Sequence, residues 1–370
     1  MAGPRYTPLV RGLPATVPFV GPEAQERARG KGFQARLGAN ESVFGPSPRA
    51  VAAMQAAASE TWMYGDPENH DLRHALAAAH RVRPENIVVG EGIDGLLGYL
   101  VRLLIGPGDA VVTSDGAYPT FNYHATGFGG ALHKVPYRND HEDPDALLTL
   151  ARETDAKLVY LATPDNPMGS WHERDVIEAM VANLPDGCVL VLDEAYAQFL
   201  APEALPEISV DHPGVIRMRT FSKAYGMAGA RVGYGIGAPD LITSFNKVRN
   251  HFGMARISQA GALAALGDSN YLQRVIADVA AARNRIFAIA AANGLQALSS
   301  AANFVTIDCG ADGDFARAVL RDLIARGIFV RMPFVAPQDR CIRVSVGTNS
   351  DLDLLAAALP KALTAARAGR

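Results

Sequence analysis

The sequence predicts an α/β protein: a large domain built on a doubly wound, mostly parallel sheet, followed by a smaller α+β domain. Three observations carry this. From about Pro48 to Arg249, short apolar β-type runs alternate with helical patterns, as strand–helix–strand units require. Beyond Arg249 the alternation gives way to a long alanine-rich helical stretch and more widely spaced strands. A chain of 370 residues is also too long for one small core, so two packed domains are expected.

The elements follow in order. Residues 1–47 are rich in Pro and Gly and read as an arm joining the smaller domain. An apolar run at 87–89 closes on Gly90-Glu91-Gly92 and leads into a helix over 93–105. Further β-type runs lie at 110–113, 158–162, 189–192 and 215–218, with helical patterns at 118–126, 146–153 and 173–183. These place a large domain at 48–250. In the remainder, 251–370, a helix is expected over 271–293, strands over 303–307, 328–331 and 342–346, and a helix over 315–326. The alanine-rich stretches reflect helix propensity, and no internal repeat is present.

Bulk properties exclude several classes. Hydrophobic residues make up 49% and charged residues 20%, an ordinary globular balance. A net charge of −3 supplies no basic field for nucleic acid or an anionic membrane. No stretch approaches the roughly 18 apolar residues of a membrane span, and no cationic segment followed by an apolar run opens the chain. Cys188, Cys309 and Cys341 lie far apart without CxxC or Cys/His pairing. That argues against a disulfide framework and a metal site, and for a reducing, cytoplasmic setting.

In open α/β sheets, ligands bind beyond the carboxyl ends of the strands. After 87–89 come Gly-Glu-Gly and a helix start, whose free N–H groups suit a phosphate. After 158–162 come Thr163-Pro164-Asp165-Asn166-Pro167-Met168-Gly169, and after 189–192 come Asp193-Glu194-Ala195-Tyr196. After 215–218 come Arg219-Thr220-Phe221-Ser222-Lys223, with Arg231 eight residues beyond the lysine. Singly, each has a plain reading: glycines turn, an Asp caps a helix, a Lys is solvated, tyrosines pack. As a set they make one chemistry. A lysine amine forms a Schiff base with an aldehyde, so Lys223 can anchor a cofactor covalently. A carboxylate at Asp193 can keep a pyridine nitrogen protonated. Asn166 and Tyr196 can hydrogen-bond a ring hydroxyl, while Ser222, Arg231 and the amides near Gly92 and Ile93 can bind one phosphate.

With these residues the sequence closely resembles the fold-type I aminotransferases that use pyridoxal 5'-phosphate (PLP), and within them the histidinol-phosphate aminotransferase family. The likeness runs from about Leu37 to Gly347. It includes Leu37-Gly38-Ala39-Asn40-Glu41, Tyr64-Gly65-Asp66-Pro67, Gly92-Ile93-Asp94, Ala117-Tyr118-Pro119 and Asp165-Asn166-Pro167. It continues through Asp193-Glu194-Ala195-Tyr196, Thr220-Phe221-Ser222-Lys223, Arg231-Val232-Gly233 and Arg343-Val344-Ser345-Val346-Gly347.

The resemblance implies that Lys223 holds PLP and shuttles a proton, that Asp193 pairs with the pyridine nitrogen, and that Asn166 and Tyr196 contact the phenolic oxygen. Tyr118 would stack on the ring. Gly92, Ile93, Asp94, Thr220, Ser222 and Arg231 would form the phosphate end, joined by Tyr64 from a second subunit. Arg343 would take the substrate's anionic end, and Asn40 and the arm would close over it; for a phosphate, Arg331 is the nearest second cation by sequence. It further implies a homodimer with shared active sites and transamination of a small amine donor with 2-oxoglutarate.

The sequence departs from the family pattern in places. Ile93 stands where a small polar residue or alanine is usual, and Gly95 where an acid is usual. The Asn-Pro run opens on Thr163 and ends on Met168-Gly169. The stretch 331–337 is notably apolar. That stretch keeps an aromatic amino-acid aminotransferase open as an alternative, and the shared cofactor motifs keep a PLP decarboxylase or lyase open as well. A regulatory protein of this fold would be expected to carry an added DNA-binding domain, for which this chain has no room.

Overall fold

The computed structural model describes residues 3–15 and 20–369. After β1 (Ala35–Arg36), seven strands form the main sheet: β2 (Ile87–Gly90), β3 (Ala110–Ser114), β4 (Ala131–Val135), β5 (Leu158–Ala162), β6 (Val189–Asp193), β7 (Val215–Thr220) and β8 (Gly233–Gly237). Their spatial order is β2-β8-β7-β6-β5-β3-β4. Only β8 runs against its neighbours, antiparallel to β2 and β7; the remaining pairs are parallel. The expected mostly parallel, doubly wound sheet is therefore present.

A parallel sheet carries helices on both faces, so its strands are buried throughout. Every residue of β3, β5 and β6 is buried. Alternate side chains serve opposite layers. Leu158 and Tyr160 pack with Leu96, Leu97 and Leu100 of helix Gly92–Leu104. Val159 and Leu161 pack with Leu147 and Leu148 of helix Pro144–Glu153 and with Ile177 and Met180 of helix Arg174–Ala182.

The second sheet is β9 (Gln296–Ala297), β10 (Phe304–Asp308) and, following β11 (Ile328–Phe329), β12 (Cys341–Ser345), in the antiparallel order β12-β10-β9. Helices Ser269–Ala292, Gly313–Ala325 and Asn349–Ala368 share its core. β1 pairs in parallel with β11, Ala35 facing Ile328. That core also takes in Tyr196 and Ala224 from the loops beyond β6 and β7, so the two sheets meet across those strand ends.

Two strands of the main sheet carry too little sequence signal to predict. β8 reads Gly-Tyr-Gly-Ile-Gly and β4 reads Ala-Leu-His-Lys-Val, where glycines or polar residues hide the apolar run. The 1–47 segment holds more structure than an arm suggests, with helices at Pro8–Gly12 and Pro22–Arg29 besides β1. Residues 1, 2 and 16–19 of that segment, and residue 370, lie outside the described residues.

Candidate active site

The carboxyl ends of β2, β5, β6 and β7 open onto one cavity of about 320 Å³, which the β12 side closes with Arg343. Lys223, Asp193, Tyr196, Asn166, Tyr118, Ile93, Asp94, Thr220, Ser222, Arg231, Asn40, Arg331 and Arg343 all line it. Of the residues singled out in the sequence, Tyr64 is not among those lining this cavity, and Gly92 borders it through its backbone contact with Arg231. Tyr64 is 76% exposed and packs against Phe252 in a tilted ring pair with centroids 4.8 Å apart.

The Lys223 amine donates to the backbone carbonyl of Asn40 at 3.1 Å. Burial, then the positive charge of Arg343, lowers its pKa to about 8. The amine is therefore far closer to its neutral, nucleophilic form than a solvated lysine. Asp193 is 6% exposed and accepts from the Tyr160 hydroxyl at 2.7 Å and the Ala195 amide at 2.9 Å. Burial raises its pKa, and among the described residues it forms no ion pair. A buried carboxylate in that state is stabilised by an incoming cation, such as a protonated pyridine nitrogen.

At the opposite wall, helix Gly92–Leu104 begins without a side-chain cap, leaving its first amides free. Gly92 has φ 78°, and a Cβ there would strike the Arg231 guanidinium. β8 lies close behind: a Cβ on Gly233 would come within 2.6 Å of the Gly92 carbonyl carbon. Arg231 is itself left-handed, φ 53°, and its Nη1 reaches Ala228 O at 3.1 Å and Ser222 Oγ at 3.4 Å. Thr220 Oγ1 accepts from the Ser222 amide at 3.0 Å and donates to Val232 O, so it fixes Ser222. An arginine held against the positive end of a helix is two like charges brought together, an arrangement an anion between them stabilises. A phosphate fits there, and the pyridine nitrogen fits at Asp193. The residues present match PLP.

At the far end, Arg343 is 8% exposed; Nη1 donates to Asn166 Oδ1, Nη2 donates to Gly38 O at 2.9 Å, and Nε has no hydrogen-bond partner among the described residues. Arg331 faces Arg343 across an isolated antiparallel bridge. Residues opposed in such a bridge share a face, so two guanidinium groups border one cavity. Arg331 Nη2 also donates to Val20 O at 2.8 Å. Asn40, φ 56°, donates from Nδ2 to Tyr196 Oη at 3.1 Å, and its Oδ1 accepts from Ser345 Oγ at 2.7 Å. Sequence reasoning missed Tyr160 and Ser345 because each sits inside an apolar strand; the two-residue alternation that places Tyr160 beside Ala162 was the available signal.

The profile of the family described as aminotransferase class I and II matches residues 34–359. A histidinol-phosphate aminotransferase of Moorella thermoacetica is 32% identical over 364 residues, 97% of this chain and 93% of the relative. Histidinol-phosphate aminotransferase 2 of Ralstonia nicotianae is 34% identical, covering 99% and 98%. Among solved structures, the histidinol-phosphate aminotransferase of Sinorhizobium meliloti in complex with PLP superposes with a TM-score of 0.95, at 53% identity and 98% coverage of both chains. The fold and site define a PLP-dependent aminotransferase of fold type I. This chain belongs to the class I and II aminotransferases and, within them, to the histidinol-phosphate aminotransferase family. No helix among the described residues is long and apolar enough to cross a membrane.

Proposed function

We propose that this enzyme transfers the amino group of histidinol phosphate to 2-oxoglutarate. The observation that carries the reading is the Arg331–Arg343 pair on one face of the cavity that holds Lys223. A phosphate dianion in a partly buried site is best met by two cations, and a guanidinium fork suits phosphate and carboxylate alike. The same pair serves the donor's phosphate and then a carboxylate of the acceptor.

When bound, PLP supplies a protonated pyridine ring that withdraws electrons from the amine-bearing carbon. Lys223 anchors it, and a lysine amine titrating near about 8 can take the proton from that carbon and return it. Asp193, held by Tyr160 and the Ala195 amide, keeps the pyridine nitrogen charged. Tyr196 and Asn166 orient the ring oxygen, and Tyr118 covers the ring face. Gly92 permits the close approach at the phosphate end, where the amides of Ile93 and Asp94 bind with Ser222 and Arg231. Thr220 acts there through Ser222. Asn40, with the arm, covers the substrate.

Tyr64 of the partner subunit would complete the phosphate end. Tyr64 packs against Phe252, and both are exposed, as is neighbouring Trp62 at 82%. Such an aromatic patch suits burial in a homodimer. Sedimentation at assay concentration should give a dimer; a monomer with full activity would remove that role. The division into an arm at 1–47, a large domain at 48–250 and a small domain at 251–370 is part of the same proposal.

A second reading rests on a specific observation. A cavity of about 380 Å³ adjoins the site and is walled by Leu320, Met332, Phe334 and Val335. That lining suits the flat ring of an aromatic amino acid. Following glutamate formation from 2-oxoglutarate with histidinol phosphate, phenylalanine, tyrosine and aspartate as donors separates the readings. The highest kcat/KM should belong to histidinol phosphate; a higher value for phenylalanine or tyrosine overturns the first reading in favour of the second.

A further inference from the structure

Asp165 immediately precedes Asn166, whose Oδ1 accepts from Arg343. Its carboxyl is 1% exposed, and that of Glu142 is 2% exposed. Among the described residues neither forms an ion pair, and the positive charge that bears on Asp165 is Arg343. Two buried carboxyls without a bonded cation are costly to ionise together, since each desolvated charge raises the cost of the other. One of them holds a proton.

The hydrogen-bond donors decide which. Asp165 accepts from the Tyr137 hydroxyl at 2.9 Å and the Met168 amide at 3.1 Å, and the Asn166 amide also points to it. Such a set favours the anion. Glu142 meets the Ala162 amide at 2.9 Å and the Ser114 hydroxyl at 2.6 Å. A hydroxyl accepts as readily as it donates. Protonated Glu142 can therefore donate to Ser114 Oγ and keep both contacts.

We propose that Glu142 keeps its proton through neutral pH while Asp165 loses its own, and that the charge on Asp165 sets how strongly the arginine subsite binds the substrate's anion. Ionised Asp165 offsets part of the Arg343 charge through the adjoining Asn166; neutral Asp165 leaves that charge for the substrate. The inference rests on Arg343 meeting a substrate anion, as read above. Burial lifts the Asp165 carboxyl to about 7 and that of Glu142 well above the carboxylate range, so the switch falls at working pH.

The surrounding charges are committed elsewhere. Asp140 is paired with Arg340 at 2.8 Å, Asp143 with Arg138 at 3.3 Å, and Asp115 with Lys134 at 3.0 Å. His172 donates Nε2 to the Glu142 carbonyl, and burial and then His141 lower its pKa, so it stays neutral. The ends of β5 and β6 bring Tyr160 and Asp193, which bond each other. Burial drives the Tyr137 and Tyr160 hydroxyls upward, so both remain neutral.

The test is equilibrium binding of glutarate, an unreactive dicarboxylate, to the PLP-loaded enzyme from about pH 6.5 to about pH 9, above the carboxylate range. Asp165→Asn keeps the size of the side chain, and the Tyr137 hydroxyl can turn to accept from the new amide. It should bind glutarate roughly tenfold more tightly than wild type at the alkaline end and equally at the acid end, the size expected for removing one buried charge within several ångströms. Glu142→Gln, which mimics the protonated acid, should follow the wild-type curve. A parallel curve for Asp165→Asn overturns the proposal.

Arg343→Gln tests the underlying reading separately. Wild-type glutarate affinity in that variant would show that the anion binds elsewhere, whatever Asp165 does. Difference infrared spectra of the wild-type enzyme give a readout that needs no variant to fold. One protonated carboxyl band should persist through neutral pH and a second should fade as pH rises; no protonated band at neutral pH overturns the protonated Glu142.

Discussion

The two ends of the active-site cavity are built in different ways. At the Arg231 end, two of the groups proposed to hold the phosphate, Ser222 and Arg231, come from one short stretch, with Thr220 fixing Ser222 from two residues away. The other contributors are the first amides of a single helix, and the glycines at 92 and 233 let helix, strand and arginine approach. At the Arg343 end, three distant segments meet, at Gly38, at Asn166 and at the facing Arg331 and Arg343, tied by hydrogen bonds spanning up to 305 residues. The conformation of the local end is set by φ values, close backbone approach and short-range hydrogen bonds. The assembled end depends on how the two sheets are docked, so under the proposed function it is where substrate choice can vary without loss of the cofactor.

This contrast can be tested from its strongest point outward. Lys223→Ala should abolish turnover. Borohydride reduction of the wild-type enzyme should place the pyridoxyl label on Lys223 by peptide mass spectrometry; a label on another lysine breaks the assignment. Next in size, Asp193→Ala should slow the chemical step by roughly two to three orders of magnitude, the usual loss when a preorganised charge is removed. Single-turnover kinetics should show that loss in kcat with cofactor still bound.

Gly92→Ala sharpens the comparison at the local end. It adds a Cβ against Arg231 and puts a side chain at φ 78°, which should weaken PLP retention on the order of tenfold or more. Dialysis followed by absorbance gives the measurement. Donor preference should be unaltered, because the other end of the cavity is untouched.

At the assembled end, two variants divide the substrate readings. Arg331→Ala should lower kcat/KM for histidinol phosphate more than for any aromatic donor, by about 1.5–3 kcal/mol for a lost charged hydrogen bond. Phe334→Ala should harm phenylalanine or tyrosine more, by roughly 1–3 kcal/mol of apolar contact. Small, equal effects of both variants on both donors would remove this stretch from substrate recognition.

The smallest effect concerns stability. Asp165 has its carboxyl raised to about 7 in the folded protein, against an ordinary value near 3.9 in the unfolded chain. Its stabilising contribution is therefore complete below the unfolded value and is lost as pH rises through about 7. Asp165→Asn has no such loss. Relative to wild type, its melting temperature should rise between about pH 5 and about pH 8, by on the order of a few degrees. A difference that stays constant with pH would mean that Asp165 is not the group responsible.

Much of this molecule is legible in the chain itself. Strands such as Leu158–Ala162 and helices such as Gly92–Leu104 follow from apolar runs and periodicity, because burial on both faces of a parallel sheet demands them. The grouping of Asp193, Lys223 and Arg231 follows from their places at successive strand ends, where an open α/β sheet binds ligands. β8 escaped notice because glycine carries no strand propensity, although those same glycines let it pack against the helix start.

Tertiary structure alone decided the rest. It put Arg331 opposite Arg343, gave the Lys223 amine the Asn40 carbonyl as its partner, placed Tyr160 on Asp193 and buried Glu142 and Asp165 without ion pairs among the described residues. The physical reason is one of range. Propensity, periodicity and turn chemistry act over a few residues, whereas a pKa or a pair of facing arginines depends on groups that meet only when distant segments are packed.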